Sequence, residues 1–276
     1  MAEAVRADGM FVRSMNGDRQ EAEPDETAPA ARPGRPIRRG EKVAEAVARD
    51  IVRRIWNERL APGTQLPYEA EMLADYGVGR GSLREALRIL EVHGLISIRS
   101  GPGGGPVVAG VHTEDFGRMS ALYYHLAGMT FRELIEARLI LEPVLARLAA
   151  ERRPPELVKK LMDAAGMQDQ SVVSDDVAYL RTSNDFHRIL GQMGGNQILS
   201  LFGLSLEDIF HDRVSGMLFP VSRRGDVVAA HQAIARAISR GQAANAERLM
   251  RDHMVQYANY VKQRHPALWD EVVDWR

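Results

Sequence analysis

The stretch from Gln65 to Gly105, QLPYEAEMLADYGVGRGSLREALRILEVHGLISIRSGPGGG, constrains the fold more than any other part of the chain. A short helical segment, about Glu69 to Asp75, precedes the turn Tyr76-Gly77-Val78-Gly79. A longer helix then starts near Arg80, with Leu83, Ala86, Leu87 and Leu90 spaced to share one face. Leu95-Ile96-Ser97-Ile98-Arg99 reads as a strand, Gly101-Pro102-Gly103-Gly104-Gly105-Pro106 as a tight loop, and Val107-Val108 as the returning strand. Two helices joined by a short turn and followed by a hairpin form a winged helix-turn-helix. Upstream, Lys42 to Leu60 carries Val43, Val47, Ile51, Ile55 and Trp56 at helical spacing, which predicts a supporting helix closed by Ala61-Pro62-Gly63.

With its apolar face turned to the core, the helix after the turn leaves Arg80, Gly81, Ser82, Arg84 and Arg88 on or near its other faces. Arginines in the first turn of a helix lying in a DNA major groove reach guanine edges bidentately, and Ser82 and the glycine allow close approach to phosphate or base. The same residues also fit a plain solvated face. The hairpin decides for a DNA reader, since a hairpin in this place is a wing. Arg49 on the supporting helix and Arg99, Gly103 and Gly104 on the wing complete the expected contact set.

Charge agrees only in its distribution. The net charge is −1, yet residues 32–110 carry 13 Lys/Arg against 9 acids, residues 1–31 carry 3 against 7, and residues 111–276 carry 20 against 21. An excess this small makes the placement of arginines matter more than bulk charge. The chain has no cysteine, which excludes disulfides and thiolate metal sites. Without an apolar run near the roughly 18 residues that span a bilayer, or an apolar signal segment, a cytoplasmic protein with no membrane partner is expected. Residues 1–36, rich in Ala, Glu, Asp and Pro, read as a disordered tail whose Arg32 and Arg35 adjoin the basic block.

Leu66-Pro67-x-Glu69, Gly77-Val78-x-Arg80 and Leu83-Arg84-Glu85-Ala86-Leu87-Arg88-x-Leu90-Glu91-x-x-Gly94-Leu95-Ile96 resemble the N-terminal domain of the GntR family of bacterial transcription regulators. The resemblance implies a homodimer whose two winged modules read half-sites of a short palindromic operator in double-stranded DNA. Two positions depart from the family pattern. Gly79 stands where Ser or Thr often caps the recognition helix, and Ala70 stands where an arginine is common.

Beyond Val111 the pattern is helical throughout, with helices expected at about 114–126, 130–150, 155–169, 175–192, 196–218, 225–240 and 243–264. That predicts an all-α bundle over 114–270, joined through a linker at 111–113 to a winged domain at 37–110. Three histidines, His187, His231 and His253, stand on apolar faces of three different helices. A single such histidine is usually a satisfied core residue. Three on facing stripes suggest a shared metal, which gives each ring an acceptor.

Glu136-x-Arg138-x-x-x-Glu142, Phe186-His187, His231-x-x-Ile234-x-x-Ala237-Ile238-x-x-Gly241 and Arg251-x-His253-Met254 resemble the FCD ligand-binding domain of the FadR subfamily. That resemblance implies a divalent metal held by three histidines and an aspartate four residues before the first. Ser183 occupies that place here, and Asn184, which shares the face of His187, is the candidate fourth ligand beside a water or an effector. A site without a carboxylate ligand favours zinc, or nickel, over manganese and magnesium. Arg138 suits a small carboxylic-acid effector, or equally an ion pair with Glu142 one turn on; Asn184, Arg188 and Tyr257 are further effector-pocket candidates.

The expected function is a metabolite-responsive transcription regulator, a repressor rather than an enzyme. The rival is a metal-dependent hydrolase using the three-histidine site, against which no Asp or Glu is placed as an obvious general base beside the histidines and an enzyme gives no reason for a winged helix.

Overall fold

The computed structural model describes residues 42–101, 103–166, 176–214 and 221–275. The expected tail at 1–36, with Arg32 and Arg35, and the central Pro102 of the wing loop lie outside them. Contacts divide the chain into two units, residues 1–115 and 116–276.

In the first unit, α1 (Val43–Asn57) buries Ala44, Val47, Ala48 and Ile51. Val47 and Ile51 of the expected stripe are inside and Ile55 packs on the same core, Ala44 and Ala48 complete the inward stripe, and Val43 and Trp56 stand exposed, the latter at 68%. Two alanines on that stripe let α1 pack tightly against the helix after the turn. The helix also ends earlier than Ala61-Pro62-Gly63 suggested. Arg59 adopts a left-handed φ of 50°, and the Leu60 N–H bonds back to the Ile55 carbonyl at 3.0 Å.

The helix-turn-helix follows the sequence closely. α2 (Glu69–Tyr76) begins with the Tyr68 N–H donating to Glu71 Oε2 at 2.8 Å and ends at Gly77, whose φ of 61° turns the chain. α3 (Arg80–Val92) starts from Gly79 without a side-chain cap and buries Leu83, Ala86, Leu87 and Leu90. These residues, with Met72 of α2 and the α1 stripe, make one core with Leu66, Ile96 and Val108. β1 (Ile96–Arg99) pairs antiparallel with β2 (Gly105–Val108), from Ile96 opposite Val108 to Arg99 opposite Gly105. A bridge from Gln65 to Val107 ties the segment before α2 to the wing.

The second unit is helical: α4 (Thr113–Leu126), α5 (Phe131–Arg152), α6 (Pro155–Ala164), α7 (Asp176–Met193), α8 (Gln197–Val214), α9 (Val221–Ser239), α10 (Ala243–Arg264) and the short α11 (Pro266–Trp269). The start of α4 reaches back into the residues expected as linker, and the boundary between units falls inside it. α6 stops at Ala164, where Gly166 takes a φ of 70°, earlier than expected. The expected continuations at 167–169 and 215–218 lie outside the described residues.

α5 is the central strut. Thr130 and Glu133 cap its start reciprocally, and Pro143 sits within it. Ala146, Ala149 and Ala150 of α5 pack with Leu161, Phe186, Leu190, Ile234, Ile238 and Met250 from α6, α7, α9 and α10. A second cluster around Phe131, Ile135, Phe210 and Val261 takes in the C-terminal segment, where Val272 bridges to Thr130. The neighbouring histidines of α7, α9 and α10 are thereby held between rigid helices. No described helix is long and apolar enough to cross a membrane.

Candidate functional site

In the first unit the faces of α3 separate cleanly. Its leucines and alanine are buried, while Arg80, Arg84 and Arg88 are exposed and Ser82 is half-buried. Arg84 Nε lies 3.1 Å from Glu69 Oε1, with the arginine side chain 70% exposed. Such a water-screened pair contributes about 0–1 kcal/mol, so it holds Arg84 only weakly. Arg49 on α1 and Arg99 on the wing are exposed. The wing tip is built on glycine. Gly103 has a φ of 76°, and a Cβ at Gly104 would stand 2.2 Å from the Arg99 carbonyl oxygen.

In the second unit His187 of α7, His231 of α9 and His253 of α10 converge, each offering a ring nitrogen within 4.8 Å of the others. His231 Nε2 and His253 Nε2 are 3.2 Å apart. That matches the edge of a zinc tetrahedron, about 3.3 Å for bonds of 2.0–2.1 Å. Phe186 stacks flat on His231, with centroids 4.0 Å apart. Burial and the neighbouring imidazoles drive the pKa of His231 well below its ordinary value. Burial and His187 bring that of His253 down to about 3. Both rings are neutral at pH 7, as metal ligands must be.

A carboxylate stands beside the histidines after all. Glu142, from α5, approaches His187 Nδ1 with Oε2 at 2.5 Å. Its Oε1 takes Arg138 Nε at 2.7 Å, and Arg138 Nη2 reaches Glu207 of α8 at 3.0 Å. All three charged residues of this network are at most 5% exposed. Burial works against the ionised form of Glu142, yet Arg138 and His187 outweigh it and hold its pKa far below the usual carboxylate range. Burial likewise opposes a charged His187, but Glu142 raises its pKa overall. Sequence reading paired Glu142 with Arg138, as found, but missed its contact with His187 because 45 residues separate the two. A signal was present: two charged residues, Arg138 and Glu142, sit on a helix face otherwise buried.

The remaining candidates are placed as follows. Arg138 takes the ion pair with Glu142, joined by Glu207, and its guanidinium also lies 4.5 Å from the centre of the Phe210 ring. Of the two readings of Arg138, the ion pair is the one this arrangement contains, with both carboxylates holding the guanidinium. Asn184 Nδ2 bonds to the His211 ring of α8 at 2.9 Å, a contact that turns the amide nitrogen toward α8 and does not use Oδ1, the atom a metal would take. Arg188 pairs with Asp208 at 2.7 Å, so this candidate too has an internal carboxylate. Tyr257 lines a small surface depression with Arg223, Asp226, His253, Gln256 and Tyr260. That opening gives His253 an approach from outside. Its other residues were not singled out in the sequence, where nothing relates Arg223 and Asp226 to positions 253–260.

Comparison with known proteins agrees with both halves. Residues 43–104 match the family described as "Bacterial regulatory proteins, gntR family", and residues 133–256 match the FCD domain. The "HTH-type transcriptional repressor NanR" of Enterobacter sp. (strain 638) is 33% identical over 177 residues, 63% of this chain and 66% of that protein. The protein of the same name from Cronobacter sakazakii (strain ATCC BAA-894) is 32% identical over the same shares. The chain thus spans just under two thirds of the length of these curated relatives. A solved structure, "Streptococcus agalactiae GntR", superposes with a TM-score of 0.61 at 24% identity, covering 78% of this chain and 99% of that one, a likeness of fold. With a gntR-type winged helix followed by an FCD domain, the chain belongs to the GntR family of bacterial regulatory proteins, in its FCD-bearing branch.

Proposed function

We propose that this chain is a repressor that binds a short palindromic operator as a homodimer in the cytoplasm, and whose helical unit binds a divalent metal and a small carboxylic acid that changes operator affinity. The observation that carries the reading is α3, which hides Leu83, Ala86, Leu87 and Leu90 and turns Arg80, Arg84 and Arg88 outward in the unit that bears the wing. Arg80 and Arg84 read base edges; Arg49, Ser82, Arg88, Arg99, Gly103 and Gly104 serve phosphates and groove walls. The name of the relatives supports repression.

For the sensor, the donor set fits zinc: three imidazoles, two of them neutral by burial and spaced as a tetrahedron requires. Nickel suits the same nitrogens. Ser183 supplies no carboxylate, so the fourth position falls to Asn184 Oδ1, to water or to the effector's carboxylate, the His211 bond using only Asn184 Nδ2. The depression beside His253, about 20 Å³ and lined by Arg223, Asp226 and Tyr257, has to widen to take that acid, with Arg223 exchanging Asp226 for the acid as its counter-charge. An acid that binds one arrangement of the dimer more tightly than the other shifts operator affinity by that difference and no more.

The hydrolase reading gains a nearby carboxylate but loses its chemistry. Both oxygens of Glu142 are engaged and its pKa is strongly depressed, which makes it a poor general base. Family and relatives are regulators rather than enzymes.

The test is selection of bound duplexes from a random pool, followed by anisotropy titrations at fixed salt with zinc and with zinc plus a panel of small carboxylic acids. A palindromic consensus whose affinity responds to one acid is expected. A chain that enriches no sequence is not an operator-binding regulator.

A further inference from the structure

We infer that Glu142 is the positioning residue of the metal centre, holding the His187 ring so that Nε2 is the nitrogen presented to the metal. The inference rests on the zinc site proposed above. A ring nitrogen that binds a metal must be unprotonated, so the proton of neutral His187 has to sit on Nδ1. Glu142 Oε2, 2.5 Å away, is the acceptor that keeps it there. His187 then resembles a carboxylate-anchored histidine ligand, while His231 is oriented by a different means, the flat stack on Phe186.

Glu142 is itself fixed. Arg138 grips Oε1 through Nε at 2.7 Å and Nη2 at 2.6 Å, and the same Nη2 also donates to Glu207 Oε2 at 3.0 Å. One oxygen is therefore given wholly to Arg138 and the other wholly to His187. With no oxygen to spare, Glu142 acts on the metal through His187 and not as a ligand. The arrangement also meets the loss of the carboxylate expected at Ser183. Negative charge absent from the ligand shell is present one bond further out, where it makes His187 a stronger donor.

Zinc affinity of chelator-stripped full-length protein is measured by competition with a chromogenic chelator, beside visible spectra of the cobalt-substituted protein. Glu142→Met is expected to weaken zinc binding by about 10–100-fold. Glu142→Gln, which keeps an acceptor oxygen, recovers part of that loss and shifts the cobalt bands. Glu207→Gln disturbs the same buried network one step further from His187 and costs clearly less zinc affinity than Glu142→Met, with cobalt bands closer to wild type. Equal losses in Glu142→Met and Glu207→Gln, or an unchanged Glu142→Gln, overturn the positioning role. Should Glu142→Met fail to fold, Glu142→Gln against Glu207→Gln decides by the same two readouts. Wild-type protein that takes up no zinc removes the proposed site itself, a different outcome from wild-type binding that Glu142 substitutions leave unaltered.

Discussion

Replacing Arg138 by Met asks what that buried guanidinium does. Arg138, Glu142 and Glu207 are 4%, 5% and 5% exposed, and the arginine contacts both carboxylates within 3.0 Å. Met keeps the volume of the stem and its contact with Phe210 but removes the cation. Glu142 retains His187, while Glu207 is left buried beside another negative charge. Breaking a buried pair by deleting one partner costs about 3–5 kcal/mol, mostly for the stranded charge. A unit of this size loses about 2–4 °C of Tm per kcal/mol, so the transition of the helical unit should fall by roughly 6–20 °C in scanning calorimetry at pH 7. Restoring neutrality with Arg138→Met, Glu142→Gln and Glu207→Gln together should return much of it, because uncharged replacements avoid the desolvation of all three ions. A drop below about 2 °C for the single variant would mean that the guanidinium does not hold the fold. It would then be available to an anionic effector, and the structural account of Arg138 would be wrong.

Other outcomes follow from the two units. Arg80→Ala should weaken binding to the selected duplex by about 1–3 kcal/mol at fixed salt with an unchanged Tm; equal affinity removes Arg80 from the reading face. Gly104→Ala places a Cβ 2.2 Å from the Arg99 carbonyl, so the wing must shift; weaker operator binding is expected, with a stability cost of about 1–3 kcal/mol, and unchanged binding would exclude the wing from the interface. In chelator-treated protein, stability should fall between pH 6.5 and 5.5. His231 and His253 stay neutral in the fold, so their contribution is present above an ordinary histidine pKa of about 6.5 and lost as pH falls. His187 is raised and works oppositely, its contribution being lost as pH rises. The unfolded chain thus takes up as many as two extra protons, a slope approaching roughly 2.7 kcal/mol per pH unit, and a flat urea midpoint across that interval would contradict the burial of these rings.

Much of this was legible in the sequence where a local rule governs. α3 and the wing follow from four apolar positions at helical spacing and a glycine run, and no distant contact competes with them. On α1, Val47, Ile51 and Ile55 were legible, but Ala44 and Ala48 were not, because alanine, weak in hydrophobicity, is what close packing against α3 selects. The three histidines were visible as an apolar-face pattern, and Arg138 with Glu142 as an i, i+4 pair. What joins them was not: Glu142 reaches His187 across 45 residues and Arg138 reaches Glu207 across 69, and such partners depend on how α5, α7 and α8 pack. Asn184 shows the same limit, sharing a face with His187 yet bonding to His211 of another helix. The bridge from Val272 to Thr130 is likewise tertiary, made by a segment with no periodicity of its own.

The central claim is that one unit reads DNA and the other sets how tightly. It is tested most directly by anisotropy titrations of the selected duplex with wild-type chain and with His231→Ala, each in chelator, in zinc, and in zinc with the acid panel. The account predicts that one acid changes the wild-type Kd by about 5–150-fold, the usual range of coupling between sites, while His231→Ala binds the duplex with the wild-type chelator-state Kd under every condition. A wild-type Kd that stays constant across zinc and every acid, or a His231→Ala chain that still responds, would contradict it.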